Sequence, residues 1–121
     1  MTRPEAKACT VELLVVSGCP GTEVAIARIR EAAAELDLAP NLRFVTVEDE
    51  TQARALGFFG SPTVRVEGID VESELTVREP GLTCRLYVHE GVTERAPPRA
   101  WIQAALARVA LGGCGLDAGP P

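Results

Sequence analysis

The sequence predicts an α/β domain with one mixed sheet of four strands and helices on both faces. Three observations predict it: a β-branched apolar run at residues 11–17, a helical pattern directly after it, and a second strand pattern, LRFVTV, at residues 42–47. Strand, helix and strand in this order form a right-handed parallel unit. The predicted order is β-α-β-α-β-β-α, in a single domain over residues 1–121 with an ordered core at about 9–111.

The first strand and the first helix carry the clearest patterns. The run VELLVVS ends at Gly18 and is apolar at nearly every position, which is typical of a strand covered on both faces. In the following TEVAIARIREAAAELDL, small and apolar residues recur on one helical face, namely Ala25, Ile29, Ala33 and Leu36. Pro20 is expected in the first turn of this helix, a position that accepts proline.

The middle elements are shorter and are bounded by glycine. A second helix through QARAL ends at Gly57. A third strand is predicted at residues 63–66, and the dipeptide Glu67-Gly68 favours a hairpin turn into a strand at residues 69–72.

The last elements leave more than one arrangement open. The run CRLYV at residues 84–88 predicts a strand that is either the fourth of the sheet or an addition to it. If that strand is parallel to the first, Cys84 starts at the end of the sheet opposite Cys19. A final helix through RAWIQAALARVAL follows Pro98, and the glycine-rich tail at residues 112–121 is expected to be disordered.

Charge and hydropathy exclude several classes of function. Seventeen acidic against twelve basic residues give a net charge of −5, which argues against a nucleic-acid partner. No apolar run is long enough to cross a membrane, and the charged N-terminus lacks the apolar core of a signal peptide, so a cytoplasmic location is expected. Cysteines in that compartment are more often reduced, catalytic or metal-binding than paired in disulfides. The four cysteines fit no zinc-finger spacing and indicate no bound metal: Cys9, Cys19, Cys84 and Cys114.

The segment Cys19-Pro20-Gly21-Thr22 lies where the first strand meets the first helix. A cysteine at a helix start faces unpaired backbone N–H groups and the positive end of the helix dipole, and both favour the thiolate. Gly21 leaves room for a partner molecule, and the Thr22 hydroxyl is a candidate donor to the thiolate. The pattern predicts a nucleophilic Cys19. The alternative interpretation is that Cys19 serves only as a small apolar residue at a helix start.

A second segment, Ser61-Pro62-Thr63, opens the third strand, and a proline in that position is a candidate for a cis peptide bond. A strand ending in Cys-Pro together with Ser-Pro-Thr resembles the thioredoxin superfamily over residues 10–110. A narrower resemblance is to small bacterial thioredoxin-like proteins, some described as alkylmercury lyases. The shared motifs are Cys19-Pro20, Gly60-Ser61-Pro62-Thr63, Gly68-Ile69-Asp70 and Cys84-Arg85-Leu86-Tyr87.

The resemblance implies a thioredoxin-like fold in which Pro62 is cis and lies against the Cys19 sulfur. Thioredoxins carry a second cysteine at the position of Thr22, and they also differ at Gly18 and Leu13. The resemblance therefore implies monothiol chemistry, in which Cys19 forms a mixed disulfide or a sulfenic acid that another thiol resolves. Monothiol glutaredoxins that hold an iron–sulfur cluster use Cys-Gly-Phe-Ser, from which this chain departs, so no cofactor is expected.

Several other residues have both a functional and a structural interpretation. Cys84 and Cys114 are candidate resolving thiols, although topology favours a Cys84 far from Cys19. Cys9 is expected to be structural, and His89 is either a general base or a surface residue. The later acidic residues are expected to form a solvated loop face: Asp70, Glu72, Glu74 and Glu79.

Three functions follow from these residues. The leading hypothesis is a monothiol oxidoreductase or thiol carrier whose partner is a thiol-containing protein or a small thiol such as glutathione. Its predicted catalytic residues are Cys19, Thr22, Pro62 and Cys84, and its predicted binding residues are Pro20, Gly21, Ser61 and Thr63, with backbone at Pro62 and Thr63 presented to the partner. The first alternative is binding of an organomercurial or soft metal ion, as in alkylmercury lyases, which have Asp at the position of Thr22. The second is a non-enzymatic interaction module.

Overall fold

The computed structural model describes residues 9–72 and 79–109. The predicted tail, Cys114 and Glu74 lie outside the described residues. The elements in chain order are β1 (Thr10–Val15), α1 (Thr22–Glu35), β2 (Asn41–Thr46), α2 (Glu50–Leu56), β3 (Thr63–Val66), β4 (Ile69–Asp70), β5 (Tyr87–His89), β6 (Val92–Glu94) and α3 (Arg99–Arg108). Among the helices of these two ranges, none is long and apolar enough to cross a membrane.

The main sheet is mixed and has four strands in the order β2-β1-β3-β4. Strand β1 is parallel to β2, with Thr10 opposite Asn41, and antiparallel to β3, with Leu14 opposite Thr63. Strand β4 is antiparallel to β3 and follows a turn at Glu67, whose positive φ is a left-handed conformation suited to a tight hairpin. The prediction of an α/β fold with a mixed four-stranded sheet is confirmed.

Alternation along β1 separates two apolar cores, one on each face of the sheet. Val11, Leu13 and Val15 belong to the larger core, which includes residues of α1 and α3. Leu14 belongs to a smaller core that includes Ala53 of α2. Helices therefore cover both faces, as predicted.

Helix α1 begins later than the sequence pattern indicates. Its first residue is Thr22 and its N-cap is Gly21, which supplies no side-chain hydrogen bond. Pro20 consequently precedes the helix instead of lying in its first turn, and Cys19 lies three residues before the helix start. The prediction that Pro20 lies in the first turn is wrong by two residues. A proline just before a helix and a proline in its first turn give similar sequence patterns, so the sequence did not distinguish the two positions.

The strand predicted at residues 84–88 is also misplaced. Strand β5 begins at Tyr87 and pairs with β6 in a separate two-stranded sheet, so it is not part of the main sheet. The two strands are joined at Glu90 and Gly91, both with positive φ, which makes a tight hairpin turn. Cys84 itself makes only an isolated parallel bridge with Ser61.

Candidate active site around Cys19

Cys19 lies in a tight loop between β1 and α1. Its N–H donates to the carbonyl oxygen of Val16 at 3.2 Å, and its own carbonyl oxygen accepts the N–H of Thr22 at 3.3 Å. The side chain is partly buried and forms no disulfide. The backbone of this cysteine is therefore fixed by hydrogen bonds on both sides, while part of its side chain is open to solvent.

The Cys19 loop touches a cis proline. The Ser61–Pro62 peptide bond is cis, as the resemblance implies. A Cβ atom at Gly21 would lie 3.0 Å from Cδ of Pro62 and only 2.3 Å from the carbonyl oxygen of Arg95. Only glycine fits at this position, because it stands between the proline ring and another stretch of backbone.

Ser61 connects the end of β1 with a distant part of the chain. Its Oγ accepts the N–H of Val16 at 3.0 Å. Its N–H donates to the carbonyl oxygen of Thr83 at 2.8 Å, and its carbonyl oxygen accepts the N–H of Arg85 at 2.9 Å. Ser61 is 1% exposed, so all of these groups are paired inside the protein. Its backbone pairing partners come from this chain and not from an external partner.

We refer to residues 79–85 as the strap. The strap runs parallel to residues 58–61, since the N–H of Gly81 also donates to the carbonyl oxygen of Phe58 at 3.0 Å. This course brings Cys84 to the carboxyl end of β1, the same end at which Cys19 lies. The expectation that Cys84 lies at the opposite end is wrong, because Cys84 belongs to the strap and not to a strand parallel to β1. Its side chain is exposed and free.

A buried arginine, which the sequence analysis did not single out, anchors the strap. Arg85 is 3% exposed. Its Nη1 donates to Asp70 Oδ2 at 2.8 Å and to Thr63 Oγ1 at 3.0 Å. Its Nη2 donates to Asp70 Oδ1 at 3.1 Å and to Glu72 Oε1 at 2.7 Å. The guanidinium also lies 4.7 Å from the centre of the Tyr87 ring.

These contacts set the ionisation of the cluster. Burial by itself lowers the pKa of Arg85, but the hydrogen bonds to Asp70, with the nearby Tyr87 and Glu72, raise that pKa above its ordinary value. The guanidinium thus stays charged. The expectation that Asp70 and Glu72 face solvent is wrong, because both carboxylates are 15% exposed or less and pair with Arg85. The motif Cys-Arg-x-Tyr contained the signal, since a lone Arg in an apolar run requires buried acids.

Backbone carbonyl groups next to the cis proline already accept hydrogen bonds from within the chain. The Tyr87 hydroxyl donates to the carbonyl oxygen of Pro62, and the Thr63 hydroxyl donates to the carbonyl oxygen of Gly60 at 2.7 Å. Thr63 is 1% exposed. Backbone groups that the resemblance assigns to an extended partner are thus engaged inside the chain.

A groove at this end of the sheet is open. Its volume is about 450 Å³, and its lining residues are Val16, Ser17, Thr46, Val47, Glu48 and Leu82. The lining thus includes Ser17, two residues before Cys19, and Leu82 of the strap. Clefts at the carboxyl ends of parallel strands are the usual ligand sites of α/β sheets.

The remaining predicted residues lie apart from this group. Cys9 is 1% exposed within the larger core, which agrees with its structural interpretation. The imidazole of His89 packs edge-on to Trp101, with ring centres 5.4 Å apart, and its Nε2 lies 3.6 Å from a carboxylate oxygen of Glu90. Among residues 9–72 and 79–109, no group of three or more His, Cys, Asp and Glu side chains could hold a metal ion.

Comparisons with known proteins add nothing to this geometry. Neither a protein-family model, nor a curated protein, nor a solved structure matches this chain. Membership of the thioredoxin superfamily therefore stays a prediction from the motifs around Cys19 and Pro62.

Proposed function

We propose that this chain is a thioredoxin-like thiol oxidoreductase or thiol carrier in which Cys19 is the nucleophile. The observation that supports it most is the contact of the Cys19 loop, through Gly21, with a cis proline. A buried structural cysteine needs no such neighbour, as Cys9 illustrates. Cys19 instead combines a fixed backbone with a partly open, free thiol.

The chemistry proposed for Cys19 is thiol–disulfide exchange. The Cys19 thiolate attacks one sulfur of a disulfide, a new sulfur–sulfur bond forms, and the other sulfur leaves as a thiolate. Helix α1 begins at Thr22, three residues after Cys19, so the positive end of its dipole lies next to the Cys19 loop. Pro20 is the second residue of the turn that the Thr22 N–H closes on the Cys19 carbonyl oxygen, a position for which the fixed φ of proline is suited.

The proposed partner is either a small molecule with a thiol or disulfide, or a protein that carries one on an exposed peptide. The groove of about 450 Å³ has the volume of a small-molecule site, which matches a tripeptide thiol such as glutathione. Three of its six lining residues are apolar and Glu48 is its charged member, so a partner contributes an amino group or apolar surface there.

Competition between Cys19 and Cys84 for iodoacetamide at neutral pH tests the nucleophile. Cys84 is the more exposed thiol, so exposure alone predicts that Cys84 reacts first. We expect Cys19 to react first, because the thiol that attacks disulfides in the proposed reaction is also the one that attacks iodoacetamide. Mass spectrometry of the peptides gives both rates in one sample, with Cys114→Ser as the control variant. Faster labelling of Cys84 would favour the interaction-module hypothesis.

A second candidate function is binding of a soft metal ion or organomercurial by two thiolates. The arrangement of Cys19 and Cys84 at one end of the sheet favours it, because thiolates select soft ions. Thr22 replaces the Asp that alkylmercury lyases use as a proton donor, so we expect binding without cleavage of the carbon–mercury bond. Mercury titration of Cys19→Ser and Cys84→Ser tests this: each variant loses tight binding if both thiolates are ligands. Release of hydrocarbon from an organomercurial would promote the lyase function.

A further inference from the structure

We propose that Cys84 is the resolving thiol for Cys19, and that Arg85 is the positioning residue that holds it in place. This inference rests on the proposed function of Cys19. It assigns the second half of the reaction to a residue 65 positions away in the chain.

Hydrogen bonds place the end of β1 and Cys84 on the two sides of Ser61. Val16, Ser61 and Cys84 lie on three neighbouring backbone segments, since Ser61 bonds to Val16 on one side and to the strap on the other. Neighbouring segments in a ladder are about 4.8 Å apart. The chain then returns from Val16 to Gly21, which contacts Pro62, so Cys19 lies on a path that passes beside Ser61.

A disulfide requires the Cys19 loop to reach across Ser61. The Cα atoms of two bonded cysteines are about 4.4–6.8 Å apart, whereas the segments of Val16 and Cys84 lie on the two sides of Ser61, about two ladder spacings apart. The Cys19 loop has to close this gap where it turns back from Val16 toward Pro62. The Cys84 side chain is exposed, so it can turn without displacing core residues. Both thiols are free in this structure, which corresponds to the reduced form.

Arg85 fixes the backbone of Cys84. The residue directly after Cys84 is 3% exposed and donates four hydrogen bonds to Asp70, Glu72 and Thr63. A guanidinium with two carboxylates is a rigid, geometrically specific anchor. The strap is thereby ordered before any disulfide forms, and this raises the effective concentration of Cys84 at Cys19.

The proposed sequence balances with glutathione disulfide as oxidant. The Cys19 thiolate attacks one glutathione sulfur and releases the first glutathione thiolate. The Cys84 thiolate then attacks the Cys19 sulfur, forms the Cys19–Cys84 bond and releases the second glutathione. Two electrons pass from the two cysteines to glutathione disulfide, and the two cysteine protons end on the two released glutathione thiols.

The test follows the full chain, reduced and then mixed with glutathione disulfide, by acid quench, alkylation and mass spectrometry. We expect a transient glutathione adduct on Cys19, followed by a peptide cross-linked between Cys19 and Cys84. The Cys84→Ser variant is expected to stop at the adduct, whereas Cys114→Ser completes the cross-link.

The alternative outcomes separate the two proposals. A stable Cys19 adduct in the unmodified chain, or a Cys19–Cys114 cross-link, overturns the role of Cys84 and leaves the role of Cys19 intact. No adduct and no cross-link at Cys19 overturns the proposed function itself.

The positioning role of Arg85 has its own readout, the equilibrium between cross-link and adduct in a glutathione buffer. Arg85→Lys keeps the positive charge but cannot make the two parallel hydrogen bonds to Asp70. We therefore expect the effective concentration of Cys84 at Cys19 to fall about tenfold, toward the value for a cysteine on a flexible loop. Asp70→Asn is the second variant, and the exposed Arg43→Lys is the matched control. An unchanged equilibrium in a folded Arg85→Lys or Asp70→Asn protein contradicts the positioning role.

Discussion

The two cysteines at this end of the sheet reach it by different means. Cys19 is placed by its own neighbours in the chain, through a turn back to Val16 and the start of α1. Cys84 is placed by residues far from it in sequence, through the pairing of the strap with Ser61 and the ion cluster of Arg85. One region depends on local conformation and the other on buried electrostatics.

This difference decides how each region responds to substitution. The Cys19 loop has no space for a larger residue at Gly21. The strap has an exposed thiol and an exposed Leu82, yet depends on a guanidinium that is almost fully buried. Loss of a buried charge partner is more costly than a local steric change, so the strap contains the most sensitive position.

The largest effect is therefore expected for Arg85→Met. Removal of the guanidinium deprives Asp70 and Glu72 of a positively charged neighbour in a mostly buried site, and such losses cost about 3–5 kcal/mol. Both carboxylates keep some exposure, so we expect about 3 kcal/mol in the free energy of unfolding, measured with urea. Arg43→Met is the matched control: its guanidinium is 58% exposed and pairs with Glu12, so its loss costs less than about 1 kcal/mol. Equal losses would contradict the buried anchor.

The same contrast explains which parts of the structure the sequence predicts. Strand β1 and helix α1 follow from local periodicity, and the cis proline follows from a motif next to a strand. The strap does not follow, because its position depends on Phe58 and Ser61, more than twenty residues earlier, and not on a repeating pattern. The acids that pair with Arg85 look like a solvated loop in sequence, since only the fold brings the guanidinium to them.

The next largest effect is expected for Gly21→Ala, which changes the local region. Its Cβ would lie 2.3 Å from the Arg95 carbonyl oxygen, so backbone must shift, and overpacking of this kind costs about 1–3 kcal/mol. We also expect a changed rate of Cys19 alkylation, because the loop moves relative to Pro62. Gly81→Ala is the control, since a Cβ there meets its nearest atom, Oε1 of Glu50, at 3.6 Å, an ordinary contact. Similar unfolding free energies for the two variants would show that the Gly21 contact relaxes easily.

A smaller effect is expected for Tyr87→Phe, which lies where the two regions meet. The phenylalanine keeps the ring but removes the hydroxyl that donates to the Pro62 carbonyl oxygen. A lost buried hydrogen bond costs about 1 kcal/mol, or somewhat more when the acceptor stays unsatisfied. Urea unfolding measures this loss, and Ser17→Ala, which removes an exposed hydroxyl, is expected to change stability little. A loss no greater than that of Ser17→Ala would mean that solvent replaces the Tyr87 hydroxyl.

The smallest effect is expected for Glu35→Gln, an exposed counterpart of the Arg85 cluster. Glu35 of α1 accepts hydrogen bonds from Arg99 and Gln103 of α3, and these bonds, with the charge of Arg99, lower the pKa of Glu35. A carboxyl whose pKa is lower in the folded than in the unfolded state stabilises the fold above its unfolded pKa, and loses that contribution as the pH falls through its folded pKa. We expect the unmodified chain to be slightly more stable than Glu35→Gln at neutral pH, with the difference vanishing in acid. Because Glu35 and Arg99 are both exposed, added salt is expected to reduce the difference in stability between the unmodified chain and Glu35→Gln at neutral pH. The larger difference in stability between the unmodified chain and Arg85→Met is expected to change little with salt. Urea unfolding at two pH values and two salt concentrations measures both, and a Glu35→Gln difference that grows in acid would contradict the assigned pKa direction.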